Sequence, residues 1–206
     1  MYPNLAAYND KRHIKVFQKA LQVIDKQLDS VHAAERAVVI ESYNEHKGVV
    51  QRFFEGINTD EIDQIMAIET SVGKYPVSIE MHMINTGWWL PLILYVTLPA
   101  PIPGPFQCDR GMFGRKWIGA PGTSSFSKQI DKILPKILMN HHWVAMLVKM
   151  KTCFSFQPLE DDTTLWTTYI GFKPGMRNHP KVKLSPVIRC AKPLENVLLA
   201  SKVKEM

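Results

Sequence analysis

The chain has 206 residues, of which 46% are hydrophobic and 21% charged, and a formal net charge of +6. That composition suits one domain or two small ones with a packed core, and it excludes a disordered or fibrous chain. Three dispersed cysteines, Cys108, Cys153 and Cys190, without CxxC spacing exclude a disulfide framework and a cysteine zinc site, and they fit a reducing compartment. The opening MYPNLAAYNDKRH turns polar too soon for a secretory signal and reads as the start of a cytoplasmic protein.

In chain order, Ile14, Phe17, Leu21, Ile24, Leu28 and Val31 recur at steps of three and four, the period of an amphipathic helix. Asn9 or Asp10 can cap its start. The same rule predicts a helix over about 34–54, with Val39, Tyr43, His46, Val50 and Phe53 on one face and Gly56 as its stop. A third helix is expected from Asn58 and Thr59, with Ile62, Ile65, Met66 and Ile68 as its apolar side and Gly73 at its end. Residues 1–73 therefore read as a helical segment ahead of a sheet domain over 74–206, as two units or as one continuous domain.

From Val77 the period changes to two: Val77, Ile79, Met81 and Met83 share one face of a strand, and Ser78, Glu80 and His82 the other. Asn85-Thr86-Gly87 reads as the turn to a second strand over Trp88–Leu98, where Pro91 argues for a sheet edge. The charge-free run from Met81 to Cys108 is interrupted by five prolines, so it suits a buried hairpin better than a membrane span. The alternating prolines from Pro99 to Pro105 form an extended connector. A helix is expected after Ser124–Ser127, carrying Ile130, Ile133, Leu134, Ile137 and Leu138 and disturbed by Pro135. Strands follow at Trp143–Phe156 and Thr163–Phe172, then a strand near Val182–Cys190 and a closing helix over Leu194–Val203. Helices followed by a mostly antiparallel sheet with one or two flanking helices define an α+β fold.

No catalytic constellation emerges. Gly111, Gly114, Gly119 and Gly122 lead toward a helix near Lys128, but neither GxxxxGK[ST] nor GxGxxG is present, so they read as turn glycines. The pair His141-His142 lacks partners at metal-ligand spacing, and His46 and His179 stand alone. Cys153 sits in a predicted strand as a small core residue, and Glu160-Asp161-Asp162 reads as a solvated turn. No cofactor and no metal are expected.

The strongest functional signal is charge. Nine lysines and arginines stand against thirteen acidic residues from Met1 to Asp109, but sixteen against six from Arg110 to Met206. Such an imbalance marks either a surface for an acidic partner or an acidic half packed on a basic one. The basic residues Lys173, Arg177, Lys181, Lys183, Arg189 and Lys192 follow one another with no acid between them, and Arg110, Arg115 and Lys116 surround Phe113 and Trp117. These residues, with the adjacent Trp88 and Trp89, are the candidate partner-binding set: Trp88, Trp89, Arg110, Arg115, Lys116, Trp117, Lys181, Lys183 and Arg189.

The expected function is a non-enzymatic interaction module, an adaptor or accessory subunit of a larger assembly such as a secretion or coupling complex. Its partner would be a protein with an acidic or extended segment. Nucleic-acid binding through the basic and aromatic stretches is the alternative, though no RNP, KH, zinc-finger or helix-turn-helix signature accompanies it. An enzyme with a site of scattered residues, near the glycine-rich loop and Lys128, is the second alternative.

Overall fold

A computed structural model of the chain describes residues 21–42, 62–84, 90–111, 114–121, 123–133, 152–172 and 184–202. Their order is helix α1 over 21–29, strands β1 (Ala37–Ser42), β2 (Ile62–Val72), β3 (Tyr75–Ile84), β4 (Leu90–Leu98), β5 (Phe106–Gly111) and β6 (Gly114–Gly119), helix α2 (Ser124–Ile133), strands β7 (Thr152–Pro158) and β8 (Thr164–Phe172), and helices α3 (Leu184–Ile188) and α4 (Ala191–Lys202). The class is α+β. Among the described residues all strand pairs are antiparallel, in one sheet of eight strands in the order β1-β2-β3-β4-β8-β7-β5-β6. The β7-β8 hairpin is thus inserted between β4 and β5, two strands that are neighbours in the chain.

Period-two patterning builds the core. The registers align Ile68, Ile79, Leu94, Thr168, Phe154, Cys108 and Trp117 into one row crossing seven strands from β2 to β6. The next row holds Val77, Val96, Trp166, Phe156 and Phe106. Side chains of directly opposed residues share a face. Here Phe106, Phe156 and Trp166 form a stacked series, with ring centroids 4.6 Å apart for Phe106 and Phe156 and 6.4 Å for Phe156 and Trp166. From the helices, Leu21, Ile24 and Leu28 of α1, Phe126 and Ile130 of α2, Val187 of α3 and Leu194 and Leu198 of α4 are buried in the same cluster.

The described part of the first predicted helix keeps its apolar stripe, with Leu21, Ile24, Leu28 and Val31 all buried. It ends in a Schellman motif: the Ala33 N–H donates to Leu28 O and the His32 N–H to Asp29 O, with His32 at φ 54° in the left-handed position that glycine usually takes. Arg36 ties the helix to β1 through Asp25 and Asp29.

Five sequence expectations are corrected. Residues 37–42, expected inside a helix over 34–54, form β1; the consecutive branched residues Val38, Val39 and Ile40 favour a strand once β2 lies alongside. Residues 62–72, expected as a third helix, form β2. The β2-β3 register slips between Ile62 and Ile65, and the extra residue of that bulge gives the apolar positions a spacing of three that imitates a helix. Gly73 is therefore a turn glycine between β2 and β3, at φ 60°, rather than a helix stop. Pro91 does not lie on an edge strand, since β4 pairs with β3 and β8; the β3 ladder begins only at Leu92, so the proline falls where that ladder has not started.

The strand expected near Val182–Cys190 is replaced by α3. Leu184, Val187, Ile188, Ala191, Leu194 and Leu198 are all buried, a helical stripe that continues into α4, and Pro186 and Pro193 fall in the first turns of the two helices, where no N–H is required. The Asn85-Thr86-Gly87 turn, residues 43–61 and residues 134–151 lie outside the described residues. Among the described residues no helix is long and apolar enough to cross a membrane.

Candidate functional site

Two glycines, Gly111 and Gly114, bracket the β5-β6 connection, and the pairing Gly111↔Gly114, Arg110↔Arg115, Asp109↔Lys116, Cys108↔Trp117 and Gln107↔Ile118 makes the stretch a regular hairpin. Three of the candidate basic residues thus hold neighbouring register positions, Arg110 opposite Arg115 and Lys116 opposite Asp109. Because β6 is last in the sheet order among the described residues, the hairpin stands at an edge of the described sheet. Lys116 is exposed, and Ile118, 45% exposed, is the most exposed large apolar side chain among those described. From Arg110 to Ile130 the chain carries Arg110, Arg115, Lys116 and Lys128 and no acidic residue.

The opposite face of β6 is built differently. Trp117 is half-buried against Phe106 and Phe154, at ring centroid distances of 5.8 and 5.0 Å, and its Nε1–H donates to Asp131 Oδ2 of α2 at 3.1 Å. That bond and the packing fix α2 beside the strand. Gly119 is required at the next inward position, since a Cβ there would overlap Phe106 Cβ and Thr123 Oγ1. Thr123 closes the turn into α2 by donating its hydroxyl to Ala120 O at 2.7 Å. Between β6 and the start of α2 lies a cleft of about 220 Å³, lined among others by Phe106, Trp117, Ile118, Thr123 and Ser127.

The other candidate residues do not gather here. Arg189 follows α3, is exposed, and donates from Nη2 to Ser30 O at 2.9 Å, placing a cation at the C-terminal end of α1 where the helix dipole favours it. Lys192 is exposed in the first turn of α4. Trp88, Trp89, Phe113, Lys173, Arg177, Lys181 and Lys183 lie outside the described residues, as do His46, His141, His142 and His179. The ion pairs of Arg36 with Asp25 and Asp29 stay within the acidic half, while Lys74 of that half pairs with Glu195 of the basic half, the reverse of the polarity that packing the two halves by charge would require.

Two polar arrangements were not legible in the sequence. On the sheet face opposite the core cluster, Tyr95 donates to Glu80 Oε2 at 2.8 Å and Gln107 Nε2 to Asp109 Oδ1 at 2.8 Å; Glu80 and Asp109 are buried. Burial, then the Glu80 charge and hydrogen bond, push the Tyr95 hydroxyl far above its usual pKa, so it remains a neutral donor. The second joins the β2-β3 turn to α4: Lys74 Nζ and Tyr75 OH lie 2.5 and 2.6 Å from the two oxygens of the buried Glu195. The second couples elements far apart in the chain, and only the fold brings its members together.

Lys128 is exposed on α2. Among the described residues no group of three or more His, Cys, Asp or Glu side chains could hold a metal ion. Cys108 and Cys190 are buried, and burial raises the Cys190 thiol to about 11, which keeps it protonated and unreactive at neutral pH. In comparisons with known proteins, no family model, no curated protein and no solved structure matches this chain.

Proposed function

We propose that the protein is an interaction module, an adaptor or accessory subunit of a larger assembly, that holds an acidic extended segment of a partner protein on the basic β5-β6 hairpin. The observation that carries this reading is the position of β6 at the sheet edge with Lys116 and Ile118 both exposed. A charged residue and an apolar residue presented together on a strand edge suit a peptide better than a solvated surface does. The absence of acidic residues between Arg110 and Ile130 supplies charge complementarity for a partner rich in Asp and Glu. The packing of Trp117 against Phe106 and Phe154 favours a peptide over a nucleic acid, because a ring held in the core cluster is a poor platform for base stacking.

The test is anisotropy of a fluorescein-labelled nonapeptide of alternating glutamate and valine, titrated with the wild-type chain and with Arg115→Glu/Lys116→Glu. Binding should weaken about tenfold or more in the double variant, the equivalent of roughly 1.4 kcal/mol. It should also weaken as salt rises. A labelled single-stranded oligonucleotide runs beside the peptide. Equal peptide affinity for both proteins would refute the reading, and binding of the oligonucleotide alone would transfer the surface to nucleic acid.

A further inference from the structure

We infer that the partner segment joins the sheet as an additional strand along β6 and seats one apolar side chain in the cleft beside Trp117. This rests on the proposed function and specifies how the same edge would work. The direction of the β6 backbone groups follows from its ladder. The Ala120 N–H donates to Pro105 O at 3.1 Å, just beyond the pairing Gly119↔Phe106. Because backbone groups in an antiparallel strand point alternately to either side, Lys116 and Ile118 are directed at β5 like Ala120, whereas the N–H and C=O of Arg115, Trp117 and Gly119 are directed outward. No strand pairs with that side among the described residues.

The cleft lies along the same edge, between β6 and α2. Its volume of about 220 Å³ is below the roughly 300–1,000 Å³ of small-molecule sites. It has room for an apolar side chain of the added segment. An added strand would turn alternate residues toward the two sheet faces. One set would approach the cleft lined by Trp117, Ile118, Thr123 and Ser127; the other would lie beside exposed Lys116. The segment that fits therefore alternates acidic and apolar residues. A second copy of this chain is disfavoured as occupant, since pairing β6 with its own copy would gather two Arg115 and two Lys116 on one short strand pair, where like charges repel.

The experiment uses the same glutamate–valine nonapeptide and the full chain. Arg115→Pro removes one outward N–H while leaving the β5 ladder intact, and Arg115→Ala controls for the charge. Arg115→Pro should bind about tenfold more weakly than Arg115→Ala, since it also forbids the close strand approach. Because Arg115→Pro could misfold, peptides N-methylated on one or the other alternating set of amides provide a ligand-side test; only one set should abolish binding. In amide exchange, peptide should slow Arg115, Trp117 and Gly119, leaving Lys116 and Ile118 already slow in the free protein. If binding follows charge reversal but neither Arg115→Pro nor either methylated set alters it, strand addition is overturned and the proposed function survives. If charge reversal also has no effect, both fall. Dimerisation through β6 in sedimentation, abolished by the peptide, would overturn the choice of occupant.

Discussion

At the scale of single residues, Glu195 shows how a buried charge is held. Burial by itself would raise its carboxyl, but hydrogen bonds from Lys74 and Tyr75 and the charges of Lys74 and Lys192 outweigh this and keep its pKa below the usual glutamate value. Its contribution to stability is therefore full above about pH 4.3, the unfolded value, and is lost as pH falls through the lower folded value. Tyr75 behaves in the opposite sense: burial, then its bond to Glu195 and the charge there, raise it to about 12. Its contribution is present below pH about 10 and lost as pH rises toward that value. Glu195→Gln should lower stability at pH 7 by about 1.5–3 kcal/mol, as for hydrogen bonds to a charged group. In urea unfolding, the gap between wild type and variant should narrow on acidification below about pH 4. A gap independent of pH would show that the carboxylate charge contributes nothing.

Among the elements, a turn glycine and a strand glycine are needed for different reasons. Gly73 closes the two-residue β2-β3 turn between the paired Val72 and Tyr75 at φ 60°, with open space around its missing Cβ. Gly at the first central position with positive φ marks a type II′ hairpin turn. Gly119 has no such backbone demand; instead Phe106 and Thr123 occupy the room a side chain would take. Gly73→Ala should cost about 1 kcal/mol through conformational strain alone. Gly119→Ala should cost more, about 1–3 kcal/mol, because the β6-α2 packing must shift. Thermal unfolding ranks the two, and a larger loss at Gly73 would mean that the α2 end of β6 adjusts freely. The difference matters for function, since Gly119 holds the cleft and the outward β6 edge in one arrangement.

For the molecule as a whole, insertion of β7-β8 between β4 and β5 determines which strands are central. β4 meets β8 along nine register pairs, from Leu90↔Phe172 to Leu98↔Thr164, and Leu92, Leu94, Val96, Leu98 and Trp166 are buried there. Amides of β4 and β8 should therefore exchange last, at rates close to those of global unfolding, with β6 among the first of the strands to open. Hydrogen exchange read by mass spectrometry or NMR checks the order, and equal protection of β6 and β4 would contradict an open β6 edge. A centre of high stability flanked by a more labile edge is the arrangement that lets a partner add to the sheet without disturbing its core.

The sequence alone determined the features whose signal is local. The stripe of Leu21, Ile24, Leu28 and Val31, the alternation from Val77 to Met81, the turn at 160–162 and the α+β class are all written in spacing, because side-chain direction follows backbone period. Only the tertiary structure decided that 37–42 and 62–72 are strands, because a short apolar run becomes helix or strand according to the partner available to its backbone groups, and the bulge near Ile62 disguised its period. It alone placed Pro91 within the sheet and Arg115, Lys116 and Trp117 on its edge. Those positions depend on strand order, which is set by pairings such as Leu90 with Phe172, between residues far apart in the chain that leave no periodic trace in either segment.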